Sequence, residues 1–543
     1  MADAIQAPVT NPPPLSIPQK RPFPAEDKHT PTVGSPLNPN PRVREERAKK
    51  PTAKARKESP EPAAAKKGAK KTSSKGPEAL RPTRYKVPPP KITDFDLATP
   101  AVLVPVAQKH GRTFMEAAEI VYNRKGFRYT NAIADPKFPS SLYNRLTESE
   151  PFGARISFED ASAQILSNRN AVTTDKGFRM GRANVGAREG RWYWECRILS
   201  GVKPPDETGA PQKSGGHIRI GWARREATLE GPVGFDAYSY GLRDVDGQKV
   251  HRSRPADFAN FDFCEGDVIG LEITLPSLSL HRKVTDGVYN KAVDTSDDLD
   301  PSASAETPDI VRDRVAIRWK TRLLFEQCDY VSQKELENYM NPTPPPVNAA
   351  PEADPPYPNH PEPQLRTLPF SNIKVYKNGQ LLGTPFTDLL AFLTPASKPH
   401  APQGARQEPL DDGTLGYYPA VSIFRGGAVE TNFGPDFWFP PPELSKDEDV
   451  EMVNAAENDA GLRIAGSKSR LRPMSERYDE QIAEDVLYDI IDEVDFWALD
   501  GGDSEGAMKD LSEAAPATFG PVEIDAGAVM AMEGRKPAPY LPG

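Results

Sequence analysis

The stretch from Arg191 to Gly270 restricts the possible folds of this chain more than any other. It opens Arg191-Trp192-Tyr193-Trp194-Glu195-Cys196-Arg197-Ile198 and continues through His217-Ile218-Arg219-Ile220-Gly221-Trp222. It then runs Gly234-Phe235-Asp236-Ala237-Tyr238-Ser239-Tyr240-Gly241 and closes on Gly266-Asp267-Val268-Ile269-Gly270, which leads on into Leu271-Glu272-Ile273. Each block is short, rich in aromatic and β-branched residues, and alternates apolar with polar side chains. Glycines stand where strands end or where another backbone comes close. The pattern predicts an antiparallel β-sandwich with one face of every strand in the core.

Composition limits how much of the 543 residues joins that core. With 59 prolines and 37% apolar residues, the chain suits one ordered domain of roughly 250 residues flanked by tails that do not pack. Residues 1–90 are mostly Pro, Ala, Lys and Ser, and read as a disordered tail. Between Arg42 and Lys91 there are 17 Lys and Arg against five Glu, a net of +12, and the overall charge of -9 leaves -21 for the rest. Opposed charges point to two kinds of partner. The clusters Lys54-Ala55-Arg56-Lys57 and Lys66-Lys67-Gly68-Ala69-Lys70-Lys71 fit a nuclear import signal, a contact to the DNA backbone, or both.

Residues 91–150 read as an aromatic-rich extension on the sandwich, with Phe127, Tyr129, Phe138 and Tyr143 wrapping it. Within it, Thr113 to Tyr122 reads as a short helix capped by Thr113 with Glu116 three residues on. The sandwich itself is expected over 151–443, with Asp175-Lys176-Gly177-Phe178 turning as a hairpin. Polar insertions are expected near 203–215, 294–309, 341–363 and 396–413, where loops accept length at little entropic cost. An acidic linker, 444–478, follows. A helix is expected over 479–498, because Ala483, Val486, Leu487, Ile490, Ile491, Val494 and Trp497 recur at three- and four-residue steps. Glu484, Asp485, Asp489, Asp492 and Glu493 occupy its other side. Residues 499–543 read as a second disordered tail.

Catalytic signatures are missing. There is no H-E-x-x-H, G-x-S-x-G, P-loop, G-x-G-x-x-G or C-x-x-C. His217 and His251 read as ordinary polar positions. Cys196, Cys264 and Cys328 lie too far apart for a zinc cluster and are expected to be free thiols in a reducing compartment. No apolar run suits a leader or membrane span, so the expectation is an intracellular, soluble binding protein without catalytic residues, cofactor or metal. Arg219 and Arg243, near Phe178, Pro232 and Phe235, offer forked donors beside apolar surface. They fit a site for an acidic peptide, or arginines that merely cap strand ends.

The order of blocks resembles the SPRY family, a B30.2-like sandwich. Gly177-Phe178, Arg219-Ile220-Gly221-Trp222, Pro232-Val233-Gly234-Phe235 and Ser239-Tyr240-Gly241-Leu242-Arg243 are similar, in order, to its Ash-two/Bre-two branch. So are Tyr376-Lys377-Asn378-Gly379 and Asn432-Phe433-Gly434-Pro435 followed by Pro440-Pro441. Members of that branch are subunits of COMPASS-type histone H3 lysine-4 methyltransferase complexes. The resemblance implies a nuclear, non-catalytic scaffold of the short fungal form, without the zinc finger and winged helix of animal members. It implies a pocket of Phe178, Arg219, Pro232, Phe235 and Arg243 for an acidic-hydrophobic segment of the WD-repeat subunit, and support for the SET-domain enzyme. Phe178 and Phe235 stand where animal relatives carry tyrosine, and bring no hydroxyl. Asp485-Val486-Leu487-Tyr488 with Ile490 and Val494, preceded by Arg472-Pro473-Met474-Ser475, resembles the segment that docks a Dpy-thirty-type dimer. The tail would then contact nucleosomal DNA. The alternative is a substrate-recognition module of a ubiquitin ligase, which predicts a RING, B-box or SOCS-box element.

Overall fold

Trp194 and Trp222 meet edge to face with ring centroids 6.3 Å apart, and the two sheets that carry them make the core. The computed structural model describes residues 91–124, 126–134, 144–208, 212, 215–294, 310–312, 314–340, 354–400, 411–444 and 470–500, with backbone alone for 495–500. All of them fall within the compact unit Leu80–Gly543. The expected basic and C-terminal tails, with Phe138, Tyr143 and most of the linker and insertions, lie outside the described residues.

The first sheet has ten strands and centres on Gly190–Ser200, which pairs with Val268–Leu275 on one side and Ala428–Asn432 on the other. Trp192, Trp194, Cys196 and Ile198 alternate into the core, as a period of two requires. The second sheet has seven strands. His217–Ala223 lies within it, between Ser239–Arg243 and Tyr418–Phe424. A Cβ on Gly221 would lie 1.9 Å from the Tyr240 carbonyl oxygen, so the close approach of these two strands needs glycine there. Cys196 is buried, and Cys264 and Cys328 are partly exposed.

A third sheet, of four strands, lies apart from these two in the pairing order. Phe127–Ala134 pairs with Arg322–Cys328 and with Asn144–Leu146, and Arg314–Trp319 forms its outer edge. It positions Arg145 and Arg314, whose roles appear below.

Four local expectations change. Thr113 to Ala117 is not helical: Arg112–Ala117 is a strand paired with Leu103–Lys109. The turn between them holds His110 and Gly111 at φ of 50° and 70°, the left-handed pair that suits a tight hairpin. Asp175 to Phe178 is not a hairpin, since the strands it joins, Ala171–Thr173 and Arg179–Ala183, belong to different sheets. Ala396 and Ser397 are fully buried, so the insertion expected from 396 begins beyond them. The linker expected over 444–478 ends inside the fold: Leu471–Pro473 is a parallel strand beside Arg191–Tyr193. Two short helices, Leu278–Asp286 (α1) and Lys334–Met340 (α2), lie outside the expected elements. The long C-terminal helix, α3, spans Met474–Asp500.

Candidate functional site

Two sites come together from the sequence candidates. The first grows from the strand His217–Ala223. Ile218, Ile220 and Trp222 point into the core, so Arg219 must emerge on the other face of the sheet. Its partner in register is Arg243. The two arginines are thus cross-strand neighbours, an arrangement of like charges that destabilises a sheet unless something offsets it. Asp244 offsets it only in part: its charge favours the Arg219 guanidinium, but its carboxylate is turned to accept from the Ile218 amide at 3.0 Å and to meet His217 at 3.1 Å. Among the described residues, neither Arg219 nor Arg243 has a carboxylate within ion-pair distance. Burial, and next the charge of Arg243, push the Arg219 guanidinium down to about 10.

Aromatic groups wall this pair. The Arg219 guanidinium lies 5.0 Å from the Phe178 ring centroid, a cation–π contact. Phe178 rests in turn on Phe424, with centroids 5.0 Å apart. Arg219 also reaches the Val233 carbonyl at 3.5 Å, and Arg243 donates to the Gln248 side chain at 2.6 Å. Pro232 and Phe235 lie on the loop that contains Val233, with the Phe235 amide donating to the Pro232 carbonyl at 3.0 Å. Phe235 leaves 48% of its surface exposed.

Asp236 pins that loop. Its buried carboxylate accepts from the Thr228 and Tyr238 amides and the Ser239 hydroxyl, each at 3.0 Å. Burial raises its proton affinity, and these donors oppose the shift. Sequence reasoning missed Asp236, Phe424 and the neighbouring Arg425. The Asp-x-x-Ser spacing of Asp236 and Ser239 was the available signal for a side-chain-capped turn. Of the histidines, His251 stacks on Tyr240 at 4.3 Å, and burial takes it down to about 4.

The second site is α3, which packs apolar groups inward at its start and acidic ones further along. Met474 and Tyr478 join the main core, and Gln481 donates to the Asn184 carbonyl at 3.3 Å. Further along, Arg312 donates to Asp489 and Asp492, each at 2.8 Å, and Arg314 to the same two carboxylates at 3.0 and 2.8 Å. Arg145 holds Glu493 at 2.7 Å. The acidic side of the helix therefore faces the body. The sequence-predicted stripe faces out: Val486, Leu487, Ile490 and Val494 are 52, 50, 47 and 59% exposed. Ala483 is exposed and Ile491 half-buried. An uncovered apolar row of this kind marks an interaction surface. Asp485 is left under-compensated, with Arg312 3.8 Å away. Burial pushes its carboxyl up to about 6, with Arg312 opposing.

The SPRY domain family matches residues 191–280. Over its length the chain is similar to the COMPASS component cclA of Colletotrichum higginsianum, at 50% identity across 90% of each chain. It is similar to the Set1 complex component ash2 of Schizosaccharomyces pombe, at 38% identity over 76% of this chain and 52% of that one. It is also similar to the COMPASS component BRE2 of Saccharomyces cerevisiae, at 25% identity over 71% of this chain and 90% of that one.

Proposed function

The chain belongs to the SPRY-containing family of COMPASS components that includes cclA and ash2, and from that premise we propose that it is a non-catalytic scaffold of a nuclear histone H3 lysine-4 methyltransferase complex. The relatives' names describe components of a complex rather than its enzyme. The observation that carries the reading is the half-buried Arg219–Arg243 pair, which no carboxylate among the described residues approaches within ion-pair distance. Such a pair is incomplete until an anionic partner reaches it.

In this reading an acidic, partly apolar segment of a WD-repeat subunit enters the pocket. Its carboxylates pair with the two guanidinium groups, and its apolar side chains cover Phe178, Pro232 and Phe235. The stripe of α3 docks a Dpy-thirty-type dimer, an amphipathic helix meeting an apolar groove. The SET-domain enzyme is supported indirectly, through the WD-repeat subunit. Basic residues of the N-terminal tail serve nuclear import and contact to nucleosomal DNA.

Affinity purification of the tagged chain from its own cells, with mass spectrometry of what copurifies, tests the proposal. Recovery of a SET-domain methyltransferase with WD-repeat and Dpy-thirty-type subunits is the expected result. Recovery of ubiquitin-ligase subunits in their place overturns it.

A further inference from the structure

Beneath α3 lies a cleft of about 590 Å³, closed on one side by the helix and on the other by strands and loops of the body. It is separate from the pocket of Arg219, and of the outward stripe only Val486 reaches its wall. A volume of this size holds a ligand or a few residues of peptide. Its walls carry eight carboxylates against four arginines, a net of -4. The arginines are already engaged: Arg128 with Asp412, Arg155 with Glu148, Arg225 with Asp160 and Asp329, and Arg312 with Asp489.

Three carboxylates on the walls lack such compensation. Among the described residues, the Glu159 carboxylate accepts from the Ser157 hydroxyl alone, at 3.1 Å, and Asp479 has no ion-pair partner. Asp485 has only the distant Arg312. The cleft also holds donors in want of acceptors: Nε of Arg155 and Nε of Arg312 are buried without a hydrogen-bond partner. Arg155 itself is only 6% exposed. Exposed Leu97 and Phe152 stand on the same walls. Surplus negative charge, unmet donors and apolar surface together describe a place for a basic peptide. Its cations would meet the carboxylates and its apolar groups Leu97 and Phe152.

One such peptide is joined in sequence to a wall of the cleft. Immediately before the described residues the sequence runs Arg81-Pro82-Thr83-Arg84-Tyr85-Lys86-Val87, with three cations and no acid. Lys86 precedes the wall residue Leu97 by 11 positions, a reach of about 35 Å when extended. We propose that the cleft is the docking site of this chain's own segment Arg81–Val87. The segment braces α3 from below and leaves Leu487, Ile490 and Val494 of the outward stripe free.

Carbodiimide cross-linking of the full chain, mixed from ¹⁴N and ¹⁵N preparations, reads this directly. Lys86 should join Glu159, Asp479 or Asp485, in cross-linked peptides of one isotope. Hydrogen exchange adds a second readout. The full chain carrying Arg81→Glu, Arg84→Glu and Lys86→Glu should exchange Met474–Asp489 amides roughly fivefold faster than the unmodified chain. Mixed-isotope links overturn the proposal in favour of a second copy. Absence of the links, or unchanged exchange in the charge-reversed chain, overturns it outright.

Discussion

Arg312 donates to Asp489 at 2.8 Å across 177 positions of sequence, and this contact turns the C-terminal helix inside out. Both side chains are buried. With Arg314 and Asp492 they form a square of two cations and two anions that fixes which side of α3 meets the body. Polar groups usually face water and apolar groups the core. Here the ion pairs hold the helix down, and the apolar row is left outward, ready for a partner.

Arg312→Ala takes from Asp489 and Asp492 one of the two arginines they share and leaves Arg314. Removing one partner of a buried pair costs about 3 kcal/mol, at the lower end of the range because Arg314 remains. The expected outcome is about a hundredfold faster exchange of amides between Asp485 and Val494, read by hydrogen exchange mass spectrometry. Protection equal to that of the unmodified protein would show that the square does not seat the helix.

Asp485 gives the seat a pH dependence of unusual sign. Its carboxyl titrates near 6 in the folded chain, against an ordinary value of 3.8. Between those values the unfolded chain has already released the proton while the folded chain keeps it. Stability from this group therefore falls as pH rises from about 4 to about 6. The side chain is 36% exposed, so solvent screening limits the effect to about 0.5–1 kcal/mol. Asp485→Asn should be the more stable protein at pH 7.5 and equal to the unmodified one at pH 4, in urea titrations at both values. A variant less stable at pH 7.5 would mean that attraction to Arg312 outweighs burial.

At the pocket, the same substitution should move stability and affinity in opposite directions. Arg243→Ala removes a like charge set against Arg219, which should stabilise the free fold by up to about 0.5 kcal/mol. It should weaken an acidic peptide of the WD-repeat subunit by about 1.5–3 kcal/mol, the scale of a charge-assisted hydrogen bond. Arg219→Ala should weaken the peptide similarly, and the loss should shrink at high salt. Calorimetry with both variants checks this. Unchanged affinity in both would leave the arginines as surface groups without a ligand.

What could be read from sequence followed how local the cause was. The strand at Trp192 was legible because Trp192, Trp194, Cys196 and Ile198 repeat every second residue, and their burial depends on that period alone. Phe178, Arg219, Pro232, Phe235 and Arg243 were expected to form one pocket only through the resemblance, and the structure places Arg219 beside Phe178. That Arg219 directly faces Arg243 was not legible, since strand register is set by pairing rather than by composition. Thr113 with Glu116 imitated a helix cap, but the His110-Gly111 turn and pairing with Leu103–Lys109 decided for a strand. In α3 the stripe was plain, whereas its direction was hidden, because Arg145, Arg312 and Arg314 lie far upstream.

Leu487→Glu separates the two sides of α3. Leu487 is half exposed in the free chain, so a carboxylate there costs little, within about 0.5 kcal/mol for a surface position. The seat on the body uses Tyr478, Asp489 and Asp492, which this change does not touch. The melting temperature should therefore hold. In a partner's groove each large aliphatic contributes on the order of 1.5–3 kcal/mol. A charge buried there without a counterion adds a further penalty. Pulldown of the Dpy-thirty-type partner should be abolished. Tyr488→Ala is the complementary control: Tyr488 is buried against the body, with the Arg312 guanidinium 5.5 Å from its ring. It should lower stability by about 3 kcal/mol, as truncating a buried aromatic does. If Leu487→Glu instead melts the fold while the partner still binds, the outward stripe belongs to the body and the docking assignment fails.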